Sequence, residues 1–336
     1  MDAAKSARRV LTAVSLGACV AAATAAGAAY RSDMRTARAR LAGQSRRILT
    51  ASGPAEVAEA GSGPPALVVH GSAGGFDMGM QVGRDVLGDG YRIIAPSRFG
   101  YLGTPMPSDA SHAHQAAAFA SLLDTLDLPS VVVVAVSAGA QAATQLALRH
   151  PDRVQALVLI TPALYLPLSP EELAGGPPSF IFDHLLASDL LVWTLARLAP
   201  KLLVRVAGVP RSLDDRVTAN DREKLVDWFF PASARHVGLA HDIRTTTPVA
   251  PDLPIEQLQM PVMLVSAVDD PYRTADVVRY SAERLRTVRV LMCDSGGHVL
   301  LGQEARVRRE VQDFLSAVEH DEKQEHHLPA GARTGM

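Results

Sequence analysis

The heptapeptide SVVVVAV, Ser130 to Val136, limits what this chain can fold into more than any other stretch. Every position after the serine is apolar, so neither face of the strand it forms can meet water. A strand buried on both faces belongs in the middle of a largely parallel sheet covered by helices. The residues that follow are as restrictive. Ala135-Val136-Ser137-Ala138-Gly139-Ala140-Gln141 leads straight into a helix rich in small residues, so the chain turns sharply out of its most buried strand.

From Arg46 onward, short β-branched runs alternate with amphipathic segments, the pattern of an α/β fold with helical crossovers on both faces of the sheet. The pattern predicts eight strands, at about 46–52, 56–60, 66–70, 91–96, 130–136, 154–160, 261–266 and 287–293. Helices are predicted at about 77–88, 110–126, 138–149, 274–285 and 300–318. Composition agrees with a globular core: 48% hydrophobic and 20% charged residues with a net charge of -2 exclude disorder as the main state. The near-neutral balance leaves no general electrostatic footprint for nucleic acid. Cys19 and Cys293 are the only cysteines, so neither a disulfide framework nor a zinc site can be built, and no cofactor or metal is expected.

A length of 336 residues is about two domains' worth. The surplus has a place to go. Between the strands ending near Ile160 and starting near Pro261 lie about 100 residues, where an αβ loop of about 2–6 is usual. Residues 164–258 are therefore read as an inserted helical cap between the two parts of the core, 45–163 and 259–319. Phe180 to Val206 reads as helical, and the insertion holds both Trp193 and Trp228. Its aromatics are expected to pack the cap onto the core and in part to roof a pocket.

The two ends lie outside this core. Val10 to Tyr30 contains no charged residue and follows Lys5, Arg8 and Arg9. About 20 apolar residues are enough to cross a bilayer, and an N-terminal membrane anchor is the preferred reading of residues 1–44. A cleaved signal ending at Ala26-Gly27-Ala28 and a lipoprotein signal with Cys19 as the lipidated residue are the alternatives. The six arginines from Arg31 to Arg47 favour a cytoplasmic C-terminal side by the positive-inside rule, unless they are only the solvated face of a helix over about Ser32–Ala42. The polar stretch 320–336 is expected to be a disordered tail.

The chemistry gathers at strand ends. Ser137 stands where a nucleophile elbow would place it, with small Ala135 and Gly139 two residues to either side. By itself this A-x-S-x-G is also compatible with a serine that merely starts a helix. Upstream, VVHGSAGGFD (Val68 to Asp77) ends another strand in a loop whose backbone N–H groups can face a developing oxyanion. Ser72 or Ala73 would supply one donor and Ala138 the other. Past the insertion, AVDDPYRT places Asp269 and Asp270 after a strand, and CDSGGHVLLG places His298 after the last one. All sit at C-terminal strand ends, where sheets of this kind carry their sites.

Taken together these segments resemble the α/β-hydrolase superfamily over about Arg46 to Val318. APSRFGYLGTPMP from Ala95 is similar to the family's D-R-x-G-x-G-x-S stretch with Ser97 in place of Asp, and RHPDRVQALVLITPA is also typical. The resemblance implies a serine hydrolase with a Ser137–Asp270–His298 triad, and Asp269 as the second choice of acid. His70 would orient the oxyanion loop. The substrate implied is a small acyl compound with an apolar part, cleaved as a carboxylic ester or relative. A C–C bond hydrolase of ring-cleavage products is the alternative, although Val299 follows His298 where those enzymes usually carry Trp. A non-catalytic binding protein on the same fold is the third. Oligomeric state is not legible in the sequence.

Overall fold

The computed structural model describes residues 2–168, 187–245 and 252–327, with residues 2–14, 16, 322, 323 and 325–327 described by their backbone alone. Eight strands carry the fold: β1 (Arg46–Thr50), β2 (Gly53–Ala60), β3 (Pro65–Val69), β4 (Arg92–Pro96), β5 (Val131–Val136), β6 (Val154–Ile160), β7 (Val262–Ala267) and β8 (Val288–Cys293). They form one sheet in the order β1-β2-β4-β3-β5-β6-β7-β8. β2 runs antiparallel to β1 and β4, and every other pairing is parallel. The observed bounds lie within a few residues of the predicted ones, because apolar runs closed by turn residues mark strands well.

Alternation within the strands makes two cores. Val131, Val133 and Ala135 of β5 point to one face with Leu67, Val69, Leu157 and Leu159; Val132 and Val134 point to the other with Ala66, Val68 and Val158. The first face is covered by α3 (His112–Thr125), α4 (Gly139–Arg149) and α9 (Thr274–Ala282). The second is covered by α2 (Phe76–Leu87) and α10 (Glu304–His327). β5 is thus buried on both faces, the condition its sequence set, and its C-terminal end opens at the centre of the sheet edge.

Between β6 and β7 the described residues form α5 (Asp189–Leu198), α6 (Pro200–Val206), α7 (Ala219–Asp227) and α8 (His236–Thr245). The start of the stretch read as helical from Phe180, residues 180–186, lies outside the described residues. The run ending at Val206 is not one helix. It breaks between α5 and α6 because Pro200, the first residue of α6, has no N–H to continue the earlier ladder.

At the N-terminus, α1 (Asp2–Leu41) is one continuous helix. Among the described residues no helix is long and apolar enough to cross a membrane, while the side chains of residues 2–14, which include part of the anchor segment, lie outside them. Of the arginines that follow this segment, Arg31, Arg35 and Arg38 lie on the solvated face of the helix, as that reading expects, while Arg40 and the opposite face of the helix pack on the cap. Met34 and Ala37 are buried with cap residues Val192, Val204, Phe229 and Phe230. Trp193 Nε1 donates to Asp33 at 2.7 Å, and Arg40 donates to Asp77 at 2.8 Å and to the Phe230 carbonyl at 3.0 Å. At the other end α10 runs on to His327, where disorder was expected from 320. Glu, Lys and Gln are good helix formers and simply extend the helix that packs on the core; residues 328–336 lie outside the described ones.

Candidate active site

Ser137 closes β5 with φ 51°, a left-handed conformation that strains any residue with a Cβ by roughly 1–2 kcal/mol. Its surroundings leave it no alternative. Its N–H donates to the Ile160 carbonyl at 3.0 Å, and its own carbonyl accepts from Ala140 at 3.0 Å and Ala163 at 3.1 Å. The small neighbours have a steric reason as well, since a Cβ at Gly139 would sit 2.6 Å from the His70 carbonyl oxygen. Ala135, two residues before the serine, is fully buried with its methyl in the core under α4.

The structure brings Ser137, His298 and Asp270 together across 161 positions of sequence. Ser137 Oγ lies 2.9 Å from His298 Nε2, and His298 Nδ1 lies 2.8 Å from Asp270 Oδ2. Burial pushes the Asp270 carboxyl up, but the electrostatic pull and hydrogen bond of His298 and the hydrogen bond from Thr274 outweigh it, so the carboxyl is held below the usual range. An ionised Asp270 accepts from Nδ1–H, which leaves the Nε2 lone pair facing the serine hydroxyl. Asp270 Oδ1 also accepts from the Tyr272 N–H at 2.8 Å. Asp269 does something else: its Oδ1 accepts from the Gly297 N–H at 2.8 Å and so holds the loop that carries His298.

On the other side of Ser137 runs the loop from His70 to Gly75. It lies against the elbow, since a Cβ at Gly71 would be 3.1 Å from Ser137 Cβ. Ala138, buried at the start of α4, offers an N–H at a helix N-terminus, where no intrahelical partner exists. Ser72 and Ala73 follow Gly71, and Ala73 is itself left-handed at φ 61°. The Ala73 N–H also approaches the Tyr101 phenol oxygen. His70 is fully buried; burial and the Arg98 charge drive its pKa down to about 3, so the ring is neutral. Its Nε2 accepts from the Arg98 N–H at 2.9 Å, so Nδ1 carries the proton and donates to the Gly71 carbonyl at 2.7 Å.

Sequence reasoning missed the residues that hold this loop from the cap. Asp242 of α8 is buried with its carboxylate on Arg98, at 2.9 and 2.5 Å, and on Tyr101 at 2.6 Å. It also accepts from Ser72 Oγ at 2.9 Å. Burial pushes its carboxyl up, but the Arg98 guanidinium more than compensates and holds it low. Arg235, just before α8, donates to the Gly74 carbonyl at 2.6 Å and to both oxygens of Asp77. Arg98 lies within Ala95–Pro107, a stretch that resembles a family motif, but nothing local marks Asp242 in His241-Asp242-Ile243-Arg244. Ser97, where the family has Asp, donates to Glu56 Oε2 at 3.0 Å, so a carboxylate from β2 serves that corner instead.

The cap also reaches the histidine side. The Gly208 carbonyl accepts from the His298 N–H at 2.9 Å, and Tyr272 Oη donates to the Val206 carbonyl at 2.7 Å. Among the described residues no group of three or more His, Cys, Asp or Glu could hold a metal ion. The arrangement suits proton transfer between a serine and an imidazole beside backbone donors, which is the equipment of acyl transfer.

In sequence and fold the chain is similar to several known proteins. The uncharacterized hydrolase YcgS of Bacillus subtilis (strain 168) is 28% identical over 265 residues, covering 75% of this chain and 91% of its own. A 2-hydroxymuconate semialdehyde hydrolase of Pseudomonas sp. (strain CF600) is 30% identical over 214 residues, covering 59% and 74% respectively. Among solved structures, an alpha/beta hydrolase fold protein from Nakamurella multipartita superposes with a TM-score of 0.67 at 26% identity, covering 81% of this chain and 98% of that one. The family model for the alpha/beta hydrolase fold matches residues 64–305, from the strand before the His70 loop to the start of α10. With the strand order and the serine-bearing elbow described above, that match means the chain belongs to the alpha/beta hydrolase fold family.

Proposed function

We propose that this hydrolase-family protein cleaves a carboxylic ester or related acyl compound with an apolar part, through a covalent acyl intermediate on Ser137. His298 Nε2 takes the hydroxyl proton as Oγ attacks the carbonyl carbon, and the tetrahedral oxyanion is met by the N–H of Ala138 and of Ser72 or Ala73. The imidazolium then gives the proton to the leaving alcohol. Water, deprotonated by the same nitrogen, attacks the acyl-serine, and the imidazolium returns that proton to Ser137 Oγ as the acid leaves. Asp270 keeps the imidazole in the tautomer this sequence of transfers needs.

The observation that carries the reading is the hydrogen-bonded line Asp270–His298–Ser137, at 2.8 and 2.9 Å, ending on a left-handed serine. Ser137→Ala should lower turnover of a p-nitrophenyl ester by about four to six orders of magnitude. A fluorophosphonate probe should label the native chain and not the variant. Undiminished turnover by Ser137→Ala would remove the assignment.

A second reading, hydrolysis of a C–C bond in a 2-hydroxy-6-oxodienoate, draws on the 30% identity to the semialdehyde hydrolase. Val299 beside His298 argues against it. Assaying such a dienoate beside short and medium acyl esters separates the two. For location, the uncharged run from Val10 to Tyr30 supports an N-terminal membrane anchor, with a cleaved or lipidated signal as the alternative.

A further inference from the structure

We propose that Asp242, a carboxylate carried by the cap, is a positioning residue for the oxyanion loop, so that the loop is competent only while α8 is seated on the core. The inference rests on the acyl-transfer reading for the role of that loop, while the contacts that carry it are independent of substrate. The loop from His70 to Gly75 combines a left-handed Ala73 with two glycines at its end. Left to itself, such a segment has several accessible conformations.

Two residues seven positions apart, Arg235 and Asp242, share one side of the α8 segment and take hold of the loop at two points. Asp242 accepts from the Ser72 hydroxyl at 2.9 Å, and Arg235 donates to the Gly74 carbonyl at 2.6 Å. Behind the loop, Arg98 completes the arrangement. Its Nε donates to the His70 carbonyl at 3.0 Å while its two terminal nitrogens are taken up by Asp242. Arg98 and Asp242 are both buried, so neither charge can lose the other without a large desolvation cost. A displaced cap would strand Arg98 and release Ser72 together. The result is a coupling between cap seating and the alignment of the N–H groups next to Ser137.

The test uses the full-length chain in two variants. Ser72→Ala removes only the hydroxyl link to Asp242 and keeps the backbone N–H. The pair Arg98→Met with Asp242→Leu removes both buried charges at once, so that neither is left unpaired. Hydrogen exchange over residues 68–76, melting temperature, and kcat and KM for p-nitrophenyl butyrate are measured on each. In both variants exchange over 68–76 should rise at least tenfold while residues 131–136 stay protected. The melting transition should remain cooperative. Turnover should fall about 10- to 100-fold in kcat with KM within about threefold, the signature of a misplaced transition-state donor. Native exchange over 68–76 in the double variant overturns the proposal, and so does loop release with unchanged kcat. If the native chain turns over no ester, the acyl-transfer reading fails, and the exchange measurement still decides whether Asp242 positions the loop.

Discussion

At the residue scale, two adjacent aspartates have separate tasks. Asp270 faces the imidazole and Asp269 ties down the Gly297 N–H. Asp270→Asn should therefore lower kcat by roughly four orders of magnitude with little change in fold, since it presents the wrong tautomer to the serine. Asp269→Asn should cost less than about tenfold. Equal losses in kcat from the two variants would contradict this division. His70 makes a different prediction. Its pKa of about 3 lies below the 6.5 of a free imidazole, so on acidification the unfolded chain takes up the proton first. The stability tied to a neutral His70 is complete above about pH 6.5 and falls as the pH drops toward 3, by up to about 1.4 kcal/mol per pH unit. His112, lowered to about 4 chiefly by burial, adds a second proton over part of that range. Urea midpoints measured from pH 7 to 4.5 should decline less steeply for His70→Gln than for the native chain.

Elements decide how these residues stay in register. The loop after α6 touches the histidine side of the site, and Gly208 is its closest point. At φ +83° it is left-handed, and a Cβ there would lie 2.3 Å from His298 Cβ. Gly208→Ala should push the imbalance into the imidazole, lowering kcat about 10- to 100-fold without loss of helical signal in circular dichroism. Activity within twofold of native would mean the loop yields instead. The strands and core helices were legible at this scale because local periodicity reports burial. Cap helices were less so: the break at Pro200 was readable in principle, whereas the placement of α8 over the His70 loop depends on pairs 144 to 170 positions apart in sequence.

For the whole molecule, α1 changes where the chain can be cut. Tyr30 packs edge-on against Trp193 at 5.6 Å between centroids, and Met34, Ala37 and Arg40 are seated on the cap and α2. A chain lacking residues 1–29 should keep its stability, while one lacking 1–44 uncovers the cap's apolar cluster. Losing the Met34 and Ala37 burial and the Arg40 contacts should cost about 3 kcal/mol, a drop of about 5 °C or more in melting temperature. Equal melting temperatures for the two truncations would show that α1 adds nothing to the cap. If the anchor proposal holds, full-length protein sediments with membranes and the chain lacking 1–29 stays in the soluble fraction.

The sheet, its central strand and the order serine, acid, histidine along the chain are legible in the residues alone. Each of these is written in short windows, as alternation, a run of valines or small residues around a sharp turn. Packing in three dimensions settles which aspartate meets His298, why Ser97 can stand in place of an aspartate, and that the cap's Asp242 and Arg235 hold the loop from His70 to Gly75. Those are pairings of single charged or polar groups 28, 41 and 144 to 170 positions apart. Hydrogen bonds act over about 3 Å. No periodicity in a sequence carries that distance, so it is fixed only when packed elements have brought the groups together.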